Sequence, residues 1–116
     1  IMGIRSDVAL AIKNQAFLSL SEASKQTISE WFVEPPERDH DEGATLFMTT
    51  GVKWYNDMFN DLMALYQDLS KNIDDEDYYL IKACPEYPGD ESSDIGGWYN
   101  NPFGIHKCVS VSIERW

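Results

Sequence analysis

The strongest hydrophobic pattern lies in residues 51–72, GVKWYNDMFNDLMALYQDLSKN. Tyr55, Met58, Phe59, Leu62, Leu65, Tyr66 and Leu69 recur at spacings of three and four, which places them on one stripe of an α-helix. The opposite face carries Asp57, Asn60, Asp61, Ala64, Gln67, Asp68 and Lys71. Asn56 suits the N-cap, because its side chain accepts a backbone N–H left without a partner in the first turn. Asp57 would then sit where the helix dipole favours negative charge, and Lys71 with Asn72 suits the opposite end. A helix over residues 56–72 is the expected organiser of the fold, with its apolar stripe as core.

The remaining segments follow from the same periodicities. In residues 4–13, Val8, Leu10 and Ile12 alternate with small or polar residues, which predicts a strand. Residues 15–33 carry a helical stripe of Ala16, Leu20, Ala23, Thr27, Ile28 and Trp31. Ser19 with Glu22 forms a capping-box signal and Ser21 a competing cap, so the helix is either one piece or restarts near Ser21. Pro35 ends it, since the residue before a proline avoids helical angles. Residues 34–43 read as an acidic surface loop. Residues 44–55 read as a strand with Leu46, Met48 and Thr50 on one face and Phe47 and Thr49 on the other, and Gly51 marks a bulge or bend. A charged turn at residues 74–77 precedes a strand at 78–84. Residues 85–104 form a long Gly/Pro/Asn/Asp loop, and residues 105–116 alternate as a half-buried antiparallel strand with Val109, Val111 and Ile113 on one side. No repeat or linker divides the chain, so residues 1–116 form a single domain. The order β-α-β-α-β-β predicts an α+β fold, a four-stranded, mainly antiparallel sheet with two helices on one face. The helical first connection leaves room for one parallel pair.

Charge narrows the partners. The 116 residues carry a net charge of −11 and a sequence pI near 4.3. Direct binding to nucleic-acid phosphates or anionic membranes is thereby disfavoured, whereas a basic protein surface is a suitable partner. No signal peptide or apolar run of transmembrane length is evident. Ile1 precedes Met2-Gly3, so Met2 reads as the natural start. Asp7 stands where a myristoylation signal needs Ser or Thr. Cys84 and Cys108 read as reduced thiols, with a single bridge between them left open.

Several groups are candidates for chemistry or binding. Asp57, Asp61 and Asp68 would lie along one line of the predicted helix in steps of roughly 6 and 10 Å, a spacing that resembles successive phosphates. The other acidic clusters are Glu37, Asp39, Asp41 and Glu42, then Asp74–Asp77, then Asp90, Glu91 and Asp94; the plain reading of all of them is a solvated surface. None has EF-hand spacing, so no metal or other cofactor is expected. His106 and Cys108 fall on one face of the predicted last strand, more consistent with a sheet-face histidine beside a buried thiol than with a nucleophilic pair. His40 reads as a solvent residue. In the loop Gly96–Gly104, Trp98, Tyr99 and Phe103 suit an interface anchor, or alternatively a lid folded back on the sheet. Arg5 and Asp7 suggest an ion pair or a polar network. No Walker loop, dinucleotide fingerprint, zinc-ligand pair or nucleophile elbow occurs.

The opening Met2-Gly3-Ile4-Arg5-Ser6-Asp7-Val8, the Val52-Lys53-Trp54-Tyr55 run and Asn101-Pro102-Phe103 resemble a family of small bacteriophage and prophage proteins. Those commonly begin Met-Gly-Tyr-Arg-Ser-Asp-Val and carry a mid-chain Lys-Trp-Tyr; Ile4 stands here in place of the Tyr. The resemblance implies a phage or prophage origin and action in the host bacterial cytoplasm. With the charge and the lack of catalytic motifs, the expectation is a non-enzymatic protein that binds and modulates, by inhibition, a host or defence protein. Its acidic surface would meet a basic, nucleic-acid-binding one. The alternative is a small enzyme or a metal- or ligand-binding protein using the His106/Cys108 face or an acidic loop.

Overall fold

The computed structural model describes residues 5–84, 93–107 and 113–115. Its elements are β1 (Ser6–Lys13), α1 (Asn14–Ser19), α2 (Glu22–Trp31), β2 (Glu37–Asp39), β3 (Ala44–Val52), α3 (Asn60–Asn72), a 3-10 turn (Asp75–Asp77), β4 (Tyr78–Ala83), β5 (Ser93–Gly96), β6 (Ile105–Lys107) and β7 (Ile113–Arg115). The fold is α+β, as the sequence order predicts, but the main sheet has five strands in the order β2-β3-β1-β4-β5. Every neighbouring pair is antiparallel.

Both extra strands come from segments that read as loops. In the acidic stretch, the Glu42 N–H donates to Asp39 Oδ1 at 2.9 Å and Gly43 takes a left-handed φ of 63°. The chain reverses there, and Glu37–Asp39 pairs with the start of β3. Charged residues on this short edge strand discourage pairing with another chain. At the other edge, β5 closes on β4 at Gly96, where φ is +87° and any Cβ would run into the Tyr78 carbonyl oxygen. Only glycine fits that approach.

β1 is central and buried on both faces. Val8, Leu10 and Ile12 point toward the helices, where they join Leu20, Ile28, Phe32, Trp54, Leu62, Leu65, Leu69 and Leu80. Ala9 and Ala11 point the other way and are covered by Phe103, Ile105 and the half-buried Trp98. Their small side chains let that cover sit close to the sheet. The predicted bulge at Gly51 is present. The β1–β3 register shifts between Ser6 and Val8, Gly51 has φ 63°, and Asp7 Oδ1 accepts its N–H at 3.1 Å while Arg5 donates to its carbonyl at 2.9 Å. Arg5 and Asp7 are therefore a polar clamp on the bulge.

The helices depart from expectation at their starts. The long second segment breaks at Leu20, and Ser21 is the cap: its Oγ accepts from Ser24 N at 3.1 Å, whereas Ser19 Oγ donates to the Gln15 carbonyl. α3 begins at Asn60, not Asn56. Residues 56–58 form a turn closed by N–H groups of Met58 and Phe59 on the Tyr55 carbonyl. The Asn56 side chain meets Lys82, which is buried on the helix side of β4 with Nζ 3.4 Å from Asn56 Oδ1. The stripe is core from Leu62 onward, but Met58 is 69% and Phe59 37% exposed, because they precede the helix. Removing a fully buried leucine such as Leu65 typically costs about 2–5 kcal/mol.

The last predicted strand does not join the main sheet. β6 and β7 pair with each other, Ile105 opposite Arg115 and Lys107 opposite Ile113, as a separate two-stranded sheet on the face away from the helices. Val109 and Val111 lie outside the described residues.

Candidate functional site at the acidic end of the sheet

Antiparallel order gathers distant segments at one end of the sheet. The pairs Lys13–Ala44, Asp39–Ala44, Ile12–Tyr78 and Tyr79–Gly96 place the ends of β1, β2 and β5 beside the starts of β3 and β4. The turn carrying Asp39, Asp41 and Glu42, the turn carrying Asp74, Asp75, Glu76 and Asp77, and the loop after Gly96 therefore emerge together. Their joining is explicit in the hydrogen bonds. Gly97 N–H donates to the Asp75 carbonyl at 2.6 Å, Trp98 N–H to the Tyr78 carbonyl at 3.1 Å, and Asn14 N–H to the Gly43 carbonyl at 2.8 Å. Lys13 stands among them, 3.0 Å from Asp77 Oδ1 and 5.4 Å from the centre of the Trp98 ring. Asp41, Glu42, Asp74, Asp75 and Glu76 are exposed. Burial first, and then the Asp75 carboxylate, push the Tyr78 phenol up to about 12.

The aromatic loop divides between the two roles expected for it. Phe103 is 4% exposed and belongs to the core of the sheet's second face. Trp98 packs half-buried on that same cluster. Tyr99 is 59% exposed, with its ring edge-on to Tyr79 at 5.1 Å. Asn101 fixes the loop: its Nδ2 donates to the Trp98 and Ile105 carbonyls, and its Oδ1 accepts the Ile105 N–H at 3.0 Å.

Asp57, Asp61 and Asp68 do not form one helical line. Asp57 lies exposed in the turn before α3, since the helix starts three residues later. Asp61 is exposed in the first turn, and its Oδ2 accepts from Trp31 Nε1 at 2.9 Å. Asp68 is drawn into the α2–α3 seam, where Oδ2 accepts from Ser24 Oγ at 2.7 Å and from Ser21 N–H at 2.9 Å, and Oδ1 from Asn72 Nδ2 at 2.7 Å. Partial burial raises the Asp68 pKa, but the hydrogen bonds from Asn72, Ser21 and Ser24 outweigh it and hold the carboxyl below its ordinary value. Two of the three carboxylates thus fasten helix to helix. Since β3 ends at the opposite end of the sheet and α3 runs back, Asp57 and Asp61 also lie at the far end from Asp74–Asp77.

His106 Nδ1 is 3.3 Å from the Gly104 carbonyl oxygen. Cys108 lies outside the described residues, and with it the His106/Cys108 pair and any Cys84–Cys108 bridge; Cys84 is buried after β4. Asp90 and Glu91 also lie outside. Asp94 accepts from the Tyr79 hydroxyl at 2.6 Å. Among the described residues, no group of three His, Cys, Asp or Glu side chains converges as a metal site requires, and no helix is long and apolar enough to cross a membrane. Lys13, Tyr78 and Tyr79 were not singled out by sequence, because only strand pairing brings them to the acidic turns.

Comparison of the chain with protein-family models, with curated proteins and with solved structures gave no match.

Proposed function

We propose that the protein is a phage- or prophage-encoded binder, not an enzyme, that captures a basic surface on a host or defence protein and inhibits it, with a nucleic-acid-handling protein as the favoured target. The observation that carries this reading is the acidic end of the sheet. Two carboxylate-rich turns, separated by more than thirty residues in sequence, are brought together beside the exposed Tyr99 and the half-buried Trp98. Carboxylates supply long-range attraction to a basic site, and a rigid aromatic supplies local contact area. Under this proposal the phosphate-like surface is this end of the sheet together with Trp98 and Tyr99. Asp57 and Asp61 add to the negative field from the far end, Asp68 acts within the fold, and Phe103 supports the loop. The phage origin rests on the resemblance of the Met2–Val8, Val52–Tyr55 and Asn101–Phe103 segments.

The test is affinity capture. The full chain is immobilised, incubated with bacterial lysate and eluted in steps of rising salt. The expected result is a basic, nucleic-acid-handling protein released at moderate salt, because exposed charge pairs are screened over roughly 10 Å at 0.1 M ionic strength. Recovery of no protein at any salt overturns the proposal.

A further inference from the structure

A cavity of about 460 Å³ opens on the helix side of the sheet, between α1, α2 and the β2–β3 edge, with Asn14, Arg38 and Thr45 at the side next to the acidic turn of residues 39–43. Its wall is aromatic. Phe17 stacks on Phe47 at 5.6 Å, Phe32 sits 5.8 Å from Phe47, and Ile28 and Pro36 complete the apolar lining. The polar groups converge on it from both sides. Arg38 donates to Thr45 Oγ1 at 3.3 Å, and Thr45 Oγ1 donates to Asn14 Oδ1 at 2.8 Å. Lys25 lines the cavity from α2.

Charge sets this cavity apart. Acidic residues outnumber Lys and Arg by 20 to 9 in the chain, yet the lining holds Lys25 and Arg38 and no carboxylate. Three other cavities among the described residues are lined by Glu42 and Asp77, by Asp74 and Asp75, and by Asp74 and Asp77. Among the described residues, no carboxylate lies within ion-pair distance of Arg38. Lys25 is 3.3 Å from Glu22, but the Glu22 side chain is 93% exposed, so that pair is screened and easily exchanged.

We propose that this cavity binds a small amphipathic monoanion, an aromatic carboxylate with its ring against Phe17, Phe32 and Phe47 and its carboxylate between Arg38 and Lys25. Cavities of this volume with an apolar body and a few convergent polar groups suit ligands of that size, and guanidinium pairs well with carboxylate. The proposal rests on the cavity lining and not on a partner at the acidic end, which begins one residue away at Asp39.

The test is an NMR titration of the full chain with naphthoate and, separately, with its neutral analogue naphthamide. Naphthoate is expected to bind saturably, with shifts centred on Ile28, Thr45 and Phe47, and naphthamide to bind roughly tenfold more weakly or worse, from the lost charge-assisted bonds. Arg38→Gln and Lys25→Gln, both at the cavity rim, are each expected to weaken naphthoate by about the same factor and to leave naphthamide unchanged; circular dichroism of each variant establishes that it is folded. Equal affinity for the two probes overturns the proposal, as does the absence of saturable binding in the millimolar range. Shifts centred on Trp98 and Tyr99, or concentration-dependent shifts at Ile28 and Phe47 without ligand, overturn it as well.

Discussion

The α2–α3 seam and the acidic end of the sheet are built from the same residue type put to opposite uses. In the seam, Asp68 gathers donors from Ser21, Ser24 and Asn72, and Asp61 takes the indole N–H of Trp31. At the sheet end, Asp41, Glu42, Asp74, Asp75 and Glu76 face water. A carboxylate with fixed donors stabilises the fold, because removing it strands those donors. A carboxylate in water contributes little to stability and adds to mutual repulsion. Net charge therefore says nothing about which acids are available to a partner; the hydrogen-bond inventory does. The aromatic loop shows the same division, Phe103 inward and Tyr99 outward.

Substitutions separate the two classes. The largest effect is expected inside the loop. Phe103→Ala should destabilise the fold by about 3–5 kcal/mol, the usual range for an aromatic core truncation, whereas Tyr99→Ala should cost roughly 0.5 kcal/mol or less. Denaturant unfolding of both variants measures this, and equal effects would break the distinction. Next, Asp68→Ala should cost about 0.5–1.5 kcal/mol, chiefly from the Ser24 hydroxyl, because the Ser21 and Asn72 donors reach water. The folded-state carboxyl lies below its ordinary 3.8, so its stabilisation is present above that value and is lost as pH falls through the folded-state pKa. The wild type should therefore lose stability relative to Asp68→Ala in that acid window, and unfolding curves at stepped pH check it. Asp61→Asn, whose bond to Trp31 is exposed, should cost roughly 0.5–1 kcal/mol by the same unfolding assay. Smallest of all, Asp74→Lys, Asp75→Lys and Glu76→Lys should each change stability by no more than about 0.5 kcal/mol. A loss of several kcal/mol from any of these would place the sheet-end acids in the structural class.

What the sequence made legible was whatever periodicity controls. The alternation of Val8, Leu10 and Ile12, the stripe from Leu62 to Leu69 and the bulge at Gly51 all depend on neighbours in the chain. The start of α3 was not legible, because Asn56 fits a cap locally but meets the buried Lys82 from β4 instead. Nor was β5, since residues 93–96 read as part of the long 85–104 loop until the close approach of Gly96 to Tyr78 is known. The last strand alternates cleanly over residues 105–116, yet its ends fold back on each other as β6 and β7. The acidic clusters were visible as composition, but their assembly at one end is set by the antiparallel pairing of β1 with β3 and β4. That Asp68 faces Ser21 and Ser24 depends on how α2 packs on α3, which spacing along one helix does not encode.

The proposed binding surface is made of the sheet-end acids and not those of α3. It is tested most directly by repeating the lysate capture with a triple variant, Asp74→Lys with Asp75→Lys and Glu76→Lys, beside Asp61→Asn. The triple variant is expected to lose the basic partner that the wild type retains at low salt, while Asp61→Asn still captures it. Retention by the triple variant together with loss by Asp61→Asn would return the binding surface to α3.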